Sequence, residues 1–543
     1  MIGAGVVAEI LKKEGVEVLF AYPVNPIIEM AARVDIRTII VRQERTGLHM
    51  ADAYSRVNSG KKIGVFAMQH GPGTENAFGG VAQAYGDSVP IIVLPGGYPR
   101  HLNTIQPQFN GYLNFQHITK SCEQVTLAKV IPDAMRRAFA HVRNGRPGPV
   151  MVEFPLDLLT EETDAPDGYA SPAQVLSGPD PKDVDKAAQM LVDAKRPVIY
   201  AGQGVHYAQA WDALKELAEL LGAPVTTSLQ GKSAFPENHP LSLNSGGRSR
   251  SLQLQTFLDK ADVIFGIGCS FSRTNYGLSF PGGKTYIHAT LDAADLHKDF
   301  AVDHGMVGDA GLILNQMVEA VRDRLKGKAR DAAPVAAEIA GLKEKWLADW
   351  NHKLASNDTP LNPYRVIWDL MHTVDRKNTI ITHDAGSPRD QISPFWESIT
   401  PLSYLGWGKT TQLGYGLGLA LGAKVARPDA LCINVWGDAA IGFTGMDFET
   451  AVRERIPILS ILLNNFSMAI ELKVMKAATE KYRSTDISGN YADMARAFGG
   501  YGERITEPGE IIPAIKRGID QTRNGTPALL EFITSKEVEI STF

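Results

Sequence analysis

The chain has 543 residues, of which 44% are hydrophobic and 21% charged, and its formal net charge at pH 7 is −5. This composition is typical of a globular protein of about three domains. The acidic balance and the lack of a basic cluster argue against a nucleic-acid partner. The longest apolar stretches are about 8–14 residues and contain glycines, which is too short to span a bilayer. The N-terminus lacks the features of a signal peptide, so we expect a cytoplasmic protein without a membrane partner.

The chain contains three cysteines, Cys122, Cys269 and Cys432. Their spacing fits neither a zinc site nor a disulfide framework. We therefore interpret each of them as a small core residue in a reducing compartment.

Helical and strand patterns alternate along nearly the whole chain. The early strands are apolar without polar alternation, which is typical of parallel strands covered on both faces. The sequence therefore predicts an α/β fold of doubly wound parallel sheets. The predicted elements of the first part are a helix at 4–14, strands at 16–20 and 38–42, a helix at 47–56, and strands at 63–67 and 89–94.

Two shifts in composition predict linkers between three domains. Residues 164–183 are rich in Pro, Asp, Ser and Gly. Residues 327–362 begin with charged residues, continue as an amphipathic helix at 336–354 and end in the turn-like NDTPLNP. We expect an N-terminal domain at 1–165, a central domain at 185–325 and a C-terminal domain at 360–543.

The most informative segment, residues 431–472, reads LCINVWGDAAIGFTGMDFETAVRERIPILSILLNNFSMAIEL. A strand at 431–436 ends at Gly437 and Asp438, a helix follows around 446–454, and a second strand at 456–463 ends at Asn465. In a right-handed βαβ unit both strands end at the same sheet edge, where α/β sheets bind ligands.

Asp438 and Asn465 are therefore expected to meet. Carboxylate and amide oxygens are hard ligands that suit Mg²⁺, and Gly437 allows the backbone to approach a phosphate closely. The structural alternative is an ordinary turn, in which Asp and Asn are also common.

This segment resembles the thiamine diphosphate-binding motif, GDG followed by NN, of the acetolactate synthase and pyruvate decarboxylase superfamily. The resemblance implies that Asp438, Asn465 and the carbonyl of Ser467 hold Mg²⁺ on the diphosphate of the cofactor. The sequence departs from the family at Ala439, where a Gly is usual. The other cofactor-binding residues that the resemblance implies here are Gly437, Ala439 and Met468.

Glu44 lies within VRQERTGLHMADAYSR, residues 41–56, between a predicted strand and a predicted helix. A carboxylate at a helix start often only caps the helix. The segment resembles the R-x-E-x-x-x-x-x-x-A-D-x-Y-x-R segment of the same superfamily, and QHGPGTEN at 69–76 resembles its GPG loop. By that resemblance Glu44 hydrogen-bonds the aminopyrimidine ring and promotes loss of the thiazolium C2 proton, after which the ylid attacks a carbonyl. Pro23, Gly73 and Asn76 are further cofactor-binding candidates.

Residues 407–423, WGKTTQLGYGLGLALGA, resemble the segment beneath the bend of the cofactor. Leu413 then occupies the fulcrum between the two rings, and Thr411 offers its carbonyl to the 4′-amine. A Gly-rich helix packed tightly on a sheet is the structural alternative, and both can hold together. Gly386 and Ser387, with Asp384, are candidates for the diphosphate cradle.

Four polar residues are catalytic candidates besides Glu44. Loops that should face the thiazolium carry Asn25, Gln69 and His70, and His70 could relay protons or could pack beside GPG for structural reasons. Glu471 stands at the offset of a Glu in pyruvate and indolepyruvate decarboxylases, where it helps to release CO₂, although a solvated Glu at a helix start is an equal alternative. The match to those decarboxylases is incomplete, because their paired His-His is replaced by IQPQFNGYLNF and an Asp by Asn25.

The central region resembles the FAD-binding domain of acetolactate synthase. Residues 268–277 read GCSFSRTNYG, where acetolactate synthases have G-V-R-F-D-D-R-V-T-G, so Ser270 replaces the first Arg. FAD is therefore doubtful, and we expect a vestigial or empty flavin site. A G-A-R-L-N-W motif of members that handle acyl-CoA is also missing.

The sequence thus predicts a carboligase of acetolactate synthase type. It would decarboxylate a pyruvate-like 2-oxo acid and add the resulting enamine to a second carbonyl. The alternatives are a simple 2-oxo acid decarboxylase or 2-hydroxy ketone lyase and, in a different class, a silent paralogue that binds the cofactor. The resemblance implies a homodimer or homotetramer in which the Glu-bearing domain of one subunit faces the diphosphate domain of another. The short segment after the last predicted strand, 528–533, suggests a more open pocket than in acetolactate synthases.

Overall fold

A computed structural model of the protein describes residues 1–103 and 105–543. Three parallel sheets of six strands follow one another along the chain, and helices flank each of them. This architecture confirms the predicted α/β class. The three sheets are formed by strands within 18–155, 197–307 and 379–533, and the domain boundaries drawn from composition stay predictions.

The first unit has the strand order β2-β1-β3-β4-β6-β5. Its winding reverses between β1 and β3, which makes the carboxyl ends of these two strands a ligand-binding position. Its elements are α1 (Gly3–Lys13), β1 (Val18–Tyr22), α2 (Asn25–Arg33), β2 (Arg37–Ile40), α3 (Glu44–Val57), β3 (Gly64–Met68), α4 (Pro72–Gly86), β4 (Ile91–Gly97), α5 (Gly111–Phe115), β5 (Ser121–Gln124), α6 (Ile131–Arg143), β6 (Val150–Pro155) and α7 (Leu156–Thr160).

The second unit has the strand order β12-β11-β10-β7-β8-β9, with the reversal between β7 and β10. Its elements are α8 (Pro181–Asp193), β7 (Pro197–Ala201), α9 (Gly204–Tyr207), α10 (Trp211–Leu221), β8 (Val225–Thr227), β9 (Ser242–Ser245), α11 (Leu252–Lys260), β10 (Val263–Ile267), β11 (Thr285–Thr290), β12 (His304–Val307) and α12 (Ala310–Arg324).

The third unit has the strand order β14-β13-β15-β16-β18-β17, with the reversal between β13 and β15. Its elements are α13 (Ala333–Leu354), α14 (Pro363–Thr373), β13 (Thr379–His383), α15 (Ser387–Phe395), β14 (Tyr404–Leu405), α16 (Tyr415–Ala426), β15 (Leu431–Gly437), α17 (Asp438–Thr444), α18 (Phe448–Arg453), β16 (Leu459–Asn464), α19 (Lys476–Tyr482), α20 (Tyr491–Ala497), β17 (Tyr501–Ile505), α21 (Ile511–Arg523) and β18 (Ala528–Ile533).

Several helices and strands begin at residues other than those predicted from the sequence. The first strand starts two residues late, because Gly15 takes a φ of +77° and the N–H of Val16 donates to the carbonyl of Leu11, which closes the end of α1. The helix predicted at 47–56 begins at Glu44, where a carboxylate is favoured by the helix dipole. The helix predicted around 446–454 consists of α17, a 3₁₀ turn and α18.

The prediction that all three cysteines are core residues is wrong for two of them. Cys432 is buried, whereas Cys122 and Cys269 are partly exposed, and Cys269 lines an open cleft of the second unit. All three are free thiols.

A close helix pair joins the first and third units. A Cβ at Gly418 of α16 would lie 2.4 Å from the Cβ of His49, and one at Gly422 would lie 2.2 Å from the carbonyl oxygen of Met50. Only glycine permits this approach. Tight packing, the structural alternative for the Gly-rich segment 407–423, therefore explains Gly418 and Gly422.

A buried polar cluster reinforces the same contact. Arg56 donates from Nε to Asp52 at 2.6 Å, and the hydroxyl of Tyr415 donates to Asp52 at 2.8 Å. Asp87 lies 3.6 Å from the guanidinium. Removing one partner of such a buried pair typically costs about 3–5 kcal/mol, so Asp52 and Arg56 have a clear role in stabilising the fold.

Within residues 1–103 and 105–543, no helix has both the length and the apolar character that a membrane crossing requires.

His206, at α9, is held as a neutral ring. The indole N–H of Trp211 donates to its Nδ1 at 3.0 Å, and its Nε2 lies 3.0 Å from the carbonyl oxygen of Lys232. Because Nδ1 accepts a hydrogen bond, the proton must sit on Nε2. Burial lowers the pKa of His206 to about 4. The contribution of the neutral ring to the free energy of unfolding is therefore complete above the ordinary histidine pKa, and it decreases as the pH falls toward 4.

We therefore expect His206→Gln to lower the Tm at pH 7.5, with a deficit that shrinks on acidification. The stability advantage of the wild type should fall by about 1.4 kcal/mol per pH unit below about pH 6.5. Thermal unfolding at pH 7.5, 6.5 and 5.5 measures this, with the exposed His101→Gln as control. If the difference in Tm between the wild type and His206→Gln does not change with pH, the pKa of His206 is not lowered in the folded state.

Candidate active site

Two helices begin at the point where the third sheet reverses its winding. Gly386, with a φ of +83°, precedes α15, and α17 begins at Asp438 directly after β15. The first N–H groups of a helix lack partners within the helix and attract anions. The edge between β13 and β15 therefore presents two helix N-termini that favour an anion.

The predicted metal ligands meet at this edge. Asp438 Oδ2 and Asn465 Oδ1 both accept from the backbone N–H of Ser467, each at 3.0 Å. Asp438 Oδ1 accepts from the N–H of Ala439, also at 3.0 Å. The structure thus brings together two oxygen ligands that lie far apart in the sequence, as the βαβ argument predicted.

The chemistry of this oxygen set fits a divalent cation. Burial raises the pKa of Asp438 to about 6, although hydrogen bonds from backbone N–H groups lower it. Among the residues that the structure describes, no Lys, Arg or His contributes to the pKa shift of Asp438, and the hydroxyl oxygen of Ser467 is buried without a partner. A buried carboxylate needs a compensating charge, and Mg²⁺ prefers ligands of this kind.

This arrangement differs from a cluster of ionisable ligands. In the described part of the chain, no group of three or more His, Cys, Asp or Glu side chains could hold a metal. The candidate site instead combines one carboxylate, one amide oxygen and a backbone carbonyl. The metal role of Asp438, Asn465 and Ser467 stays a prediction.

A pocket of about 740 Å³, including its open mouth, adjoins these ligands. A Cβ on Gly437 would meet no atom closer than 4.0 Å, so the space beside this glycine can accommodate a ligand group. Most of the predicted cofactor residues of the third unit line the pocket: Gly386, Ser387, Leu413, Gly437, Asp438, Ala439, Asn465, Ser467 and Met468, together with Glu471.

Asp384 has a different role from the one predicted. Its carboxylate accepts from the N–H groups of Ala385, Gly414 and Gly416 at 2.8, 2.9 and 2.9 Å, and it does not line the pocket. These bonds fix the loop before α16 and thereby the position of Leu413. Thr411 lies on the same loop but outside the pocket lining.

A second cluster surrounds Glu44 in the first unit. Asn76 donates from Nδ2 to Glu44 Oε2 at 3.2 Å. A Cβ at Gly73 would lie 3.3 Å from Glu44 Oε1 and 2.9 Å from Cγ of Gln69, so these residues form one packed group. Burial raises the pKa of Glu44, opposed by hydrogen bonds and assisted by Asp447. A carboxyl group tuned in this way suits proton sharing.

Pro23, Asn25 and His70 stand beside this cluster at the reversal between β1 and β3. Pro23 follows β1, Asn25 begins α2 and is exposed, and His70 is half-buried after β3. Of the residues described in the first unit, none lines the pocket at Asp438. The Glu44 cluster thus lies outside that pocket within one chain, and the catalytic and cofactor roles of both clusters stay predictions.

The second unit carries an open cleft of about 1140 Å³ at the carboxyl ends of β7 and β10. Ser270, which replaces the family Arg, lies in this cleft, and Lys409 of the third unit donates to its hydroxyl at 3.1 Å. A cation from another unit thus stands near the substituted position. The expectation of a vestigial or empty flavin site stays a prediction.

Three polar residues of the pocket lining were missed from the sequence. Thr534 and Glu537 follow β18, and Gln391 lies in α15. Thr534 could have been found, because it directly follows a predicted strand at the same sheet edge. Glu537 could not, since its position depends on a contact with Lys353 Nζ at 2.8 Å.

Comparison with known proteins supports the cofactor. Models for thiamine pyrophosphate enzymes match the chain over residues 1–124 (N-terminal TPP binding domain), 184–317 (central domain) and 384–532 (C-terminal TPP binding domain). The chain is 32% identical to a probable acetolactate synthase large subunit of Methanococcus aeolicus, over 98% of this chain and 92% of that protein. It is also 32% identical to the corresponding Methanocaldococcus jannaschii protein, over 98% and 92%.

The chain is also similar to a bacterial acetolactate synthase subunit over nearly its whole length. Acetolactate synthase isozyme 3 large subunit of Escherichia coli is 28% identical, over 96% of this chain and 93% of that protein. The chain belongs to the thiamine pyrophosphate enzyme family. It is a thiamine diphosphate-dependent enzyme, which confirms the resemblance seen in its motifs.

We expect Glu44→Gln to retain cofactor binding but to slow exchange of the cofactor C2 proton by about 10²–10⁴-fold, the usual range for loss of a general acid–base group. Quenched hydrogen–deuterium exchange followed by NMR measures the rate. The exposed Glu75→Gln on α4 is the matched control. Unchanged exchange in Glu44→Gln would remove Glu44 as the activating carboxylate.

Proposed function

We propose that the protein is a Mg²⁺-dependent carboligase of acetolactate synthase type. It decarboxylates a 2-oxo acid such as pyruvate and joins the remaining acyl unit to a second carbonyl compound. The observation that carries this proposal is that Asp438 and Asn465 both accept from the N–H of Ser467 beside an open pocket. The substrate class is supported by the relatives named acetolactate synthase.

The residues of the third unit would hold the cofactor. Asp438, Asn465 and the Ser467 carbonyl would hold Mg²⁺, and the N–H of Ser387 at the start of α15 would donate to the diphosphate. Leu413 would support the bend of the cofactor. When bound, thiamine diphosphate supplies the nucleophilic carbon and accepts the electrons released by C–C cleavage.

The residues of the first unit would handle protons and the substrate. Glu44 shares a proton with the pyrimidine ring, and Gly73 and Asn76 shape the space around it. His70 carries a proton to or from the substrate oxygen, with Asn25 and Gln69 as hydrogen-bond donors. The proposed reaction involves no net oxidation or reduction. Its chemistry therefore does not require FAD, although the central region resembles an FAD-binding domain.

We further propose a homodimer or homotetramer with shared active sites. Support comes from the separation of the Glu44 and Asp438 clusters within one chain and from large exposed apolar residues near both. Leu113 is 58% exposed in the first unit, and Met446 and Val474 are 53% and 80% exposed in the third. Such patches mark interaction surfaces, and a second copy would join each Glu44 to a partner's Asp438.

Mixing two inactive variants tests this arrangement. Co-expressed Glu44→Gln and Asp438→Asn chains should recover about a quarter of wild-type activity, because random pairing gives half heterodimers with one intact site each. Each variant alone should remain inactive. Co-expressed Glu44→Gln and Glu44→Ala chains are the control. No recovery in verified heterodimers would assign both residues to a site within one chain.

A non-oxidative decarboxylase is the second candidate, and Glu471 favours it. This residue lies in a 3₁₀ helix, Ala469–Lys473, and lines the pocket. A carboxyl group there could protonate the product before a second carbonyl arrives. A lyase of 2-hydroxy ketones would use the same groups in reverse. A silent paralogue is disfavoured, since Glu44, Asp438 and Asn465 are all retained.

Product analysis separates these candidates. With thiamine diphosphate, Mg²⁺ and pyruvate, we expect CO₂ and a hydroxy ketone by NMR, with and without an added aldehyde. Free aldehyde as the main product would favour the decarboxylase, and Glu471→Gln should then reduce it by about 10²-fold or more. The exposed Glu480→Gln of α19 is the control. Bound cofactor with no turnover of pyruvate or other 2-oxo acids would exclude the proposed substrate class.

We place the enzyme in the cytoplasm with small-molecule substrates and without a nucleic-acid partner. The supporting observations are the net charge of −5 and the free thiols. Free cysteines are typical of reducing compartments.

A further inference from the structure

Tyr98 packs directly against His70 at the edge of the first sheet. The two residues follow β4 and β3, which are neighbouring parallel strands with Met68 opposite Pro95. Their ring centroids lie 4.7 Å apart with an interplanar angle of 68°. This is an edge-to-face pair, the favoured geometry for interacting aromatic rings.

The same tyrosine covers the turn into α4. Gly71 has a φ of +60°, and a Cβ there would lie 2.7 Å from the hydroxyl oxygen of Tyr98. Glycine is therefore required at this position for two reasons, its backbone conformation and the tyrosine above it. Tyr98 thus contacts both the imidazole and the backbone that carries it.

His70 has no hydrogen bond to orient its ring in the described part of the chain. Its Nδ1 is buried without a partner. A histidine that transfers protons is commonly oriented by a hydrogen bond at the nitrogen that does not react. Here that contact is missing, and the aromatic packing of Tyr98 is the restraint that the structure provides.

Burial lowers the pKa of His70. Across β4, the backbone N of His70 and Cγ2 of Val24 both lie near Gly96, at 3.5 and 3.6 Å from a Cβ built there. The titratable group that packs on the imidazole is the phenol of Tyr98.

We infer that Tyr98 is a positioning residue, whose ring holds the imidazole of His70 in the orientation in which Nε2 exchanges a proton with the substrate. The inference rests on the proposed function, in which His70 carries that proton. The ring, and not the phenolic hydroxyl, performs this role, because it is the ring that contacts the imidazole.

Substitutions at position 98 separate the ring from the hydroxyl. Tyr98→Phe should keep kcat within about twofold, whereas Tyr98→Leu and Tyr98→Ala should lower kcat by about 10–100-fold, as expected for a displaced catalytic group, with little change in KM. Tyr98→Leu fills most of the volume and replaces Tyr98→Ala if the latter does not fold. Equal losses in Tyr98→Phe and Tyr98→Leu would overturn the inference in favour of the hydroxyl.

A double-mutant cycle tests whether Tyr98 acts through His70. In a His70→Gln background, Tyr98→Leu should cause no further loss of kcat. In the enzyme that retains His70, Tyr98→Leu should move the acid limb of the kcat/KM pH profile to higher pH. Water then reaches the imidazole, and the pKa of His70 rises toward its ordinary value. A full additional loss in the His70→Gln background would show that Tyr98 acts independently.

An NMR titration makes the test independent of turnover. In holoenzyme with ¹³C-labelled histidine, assigned with His70→Gln, the pKa of His70 should rise in Tyr98→Leu and stay unchanged in Tyr98→Phe. If this shift occurs while no 2-oxo acid is turned over, the proposed function fails and the packing role stands. An identical His70 pKa in wild type and Tyr98→Leu would overturn the positioning role, whatever the enzyme's activity.

Discussion

The buried carboxylate of Asp438 is the constraint on which the third unit's site depends. Desolvation raises its pKa, and hydrogen bonds from backbone N–H groups compensate only in part. Among the described residues, no cationic side chain contributes to the pKa shift of Asp438. The Asn465 amide oxygen, the unpartnered Ser467 hydroxyl and the open space beside Gly437 lie next to this carboxylate. The proposed Mg²⁺ would supply the compensating charge.

The glycine-mediated contact between α3 and α16 determines how the two clusters relate within one chain. It places the backbones of α3 and α16 in direct contact, and the buried Asp52–Arg56–Tyr415 cluster adds polar bonds to the same contact. Interiors packed in this way deform little. Glu44 begins one of these helices and Leu413 precedes the other, so the same contact helps to fix the positions of both residues.

Local patterns predicted the elements well and their ends less well. Buried strands of the first and third sheets were recognisable from uninterrupted apolar runs, yet β1 starts late because Gly15 and Val16 complete the preceding helix. That outcome was decided by a local bond. Asp384 was expected at the phosphate, but its oxygens accept from Ala385 and from two N–H groups of the distant segment at Gly414 and Gly416. Cys269 was expected in the core, but it lines the cleft of the second unit, to which residues of all three units contribute.

The sequence by itself determined the class of fold, the cofactor family and the meeting of Asp438 with Asn465. The fold class and the meeting of Asp438 with Asn465 follow from periodicity and from the handedness of a single βαβ unit, both of which are local properties of the chain. The cofactor family follows from the resemblance of the motifs to those of a known family. Only the tertiary structure decided that Tyr98 packs on His70, that Glu537 reaches the pocket through Lys353, and that Glu44 does not line the pocket at Asp438. Those relations depend on which strands become neighbours and on how whole units pack, and such long-range pairings leave no periodic signal in the sequence.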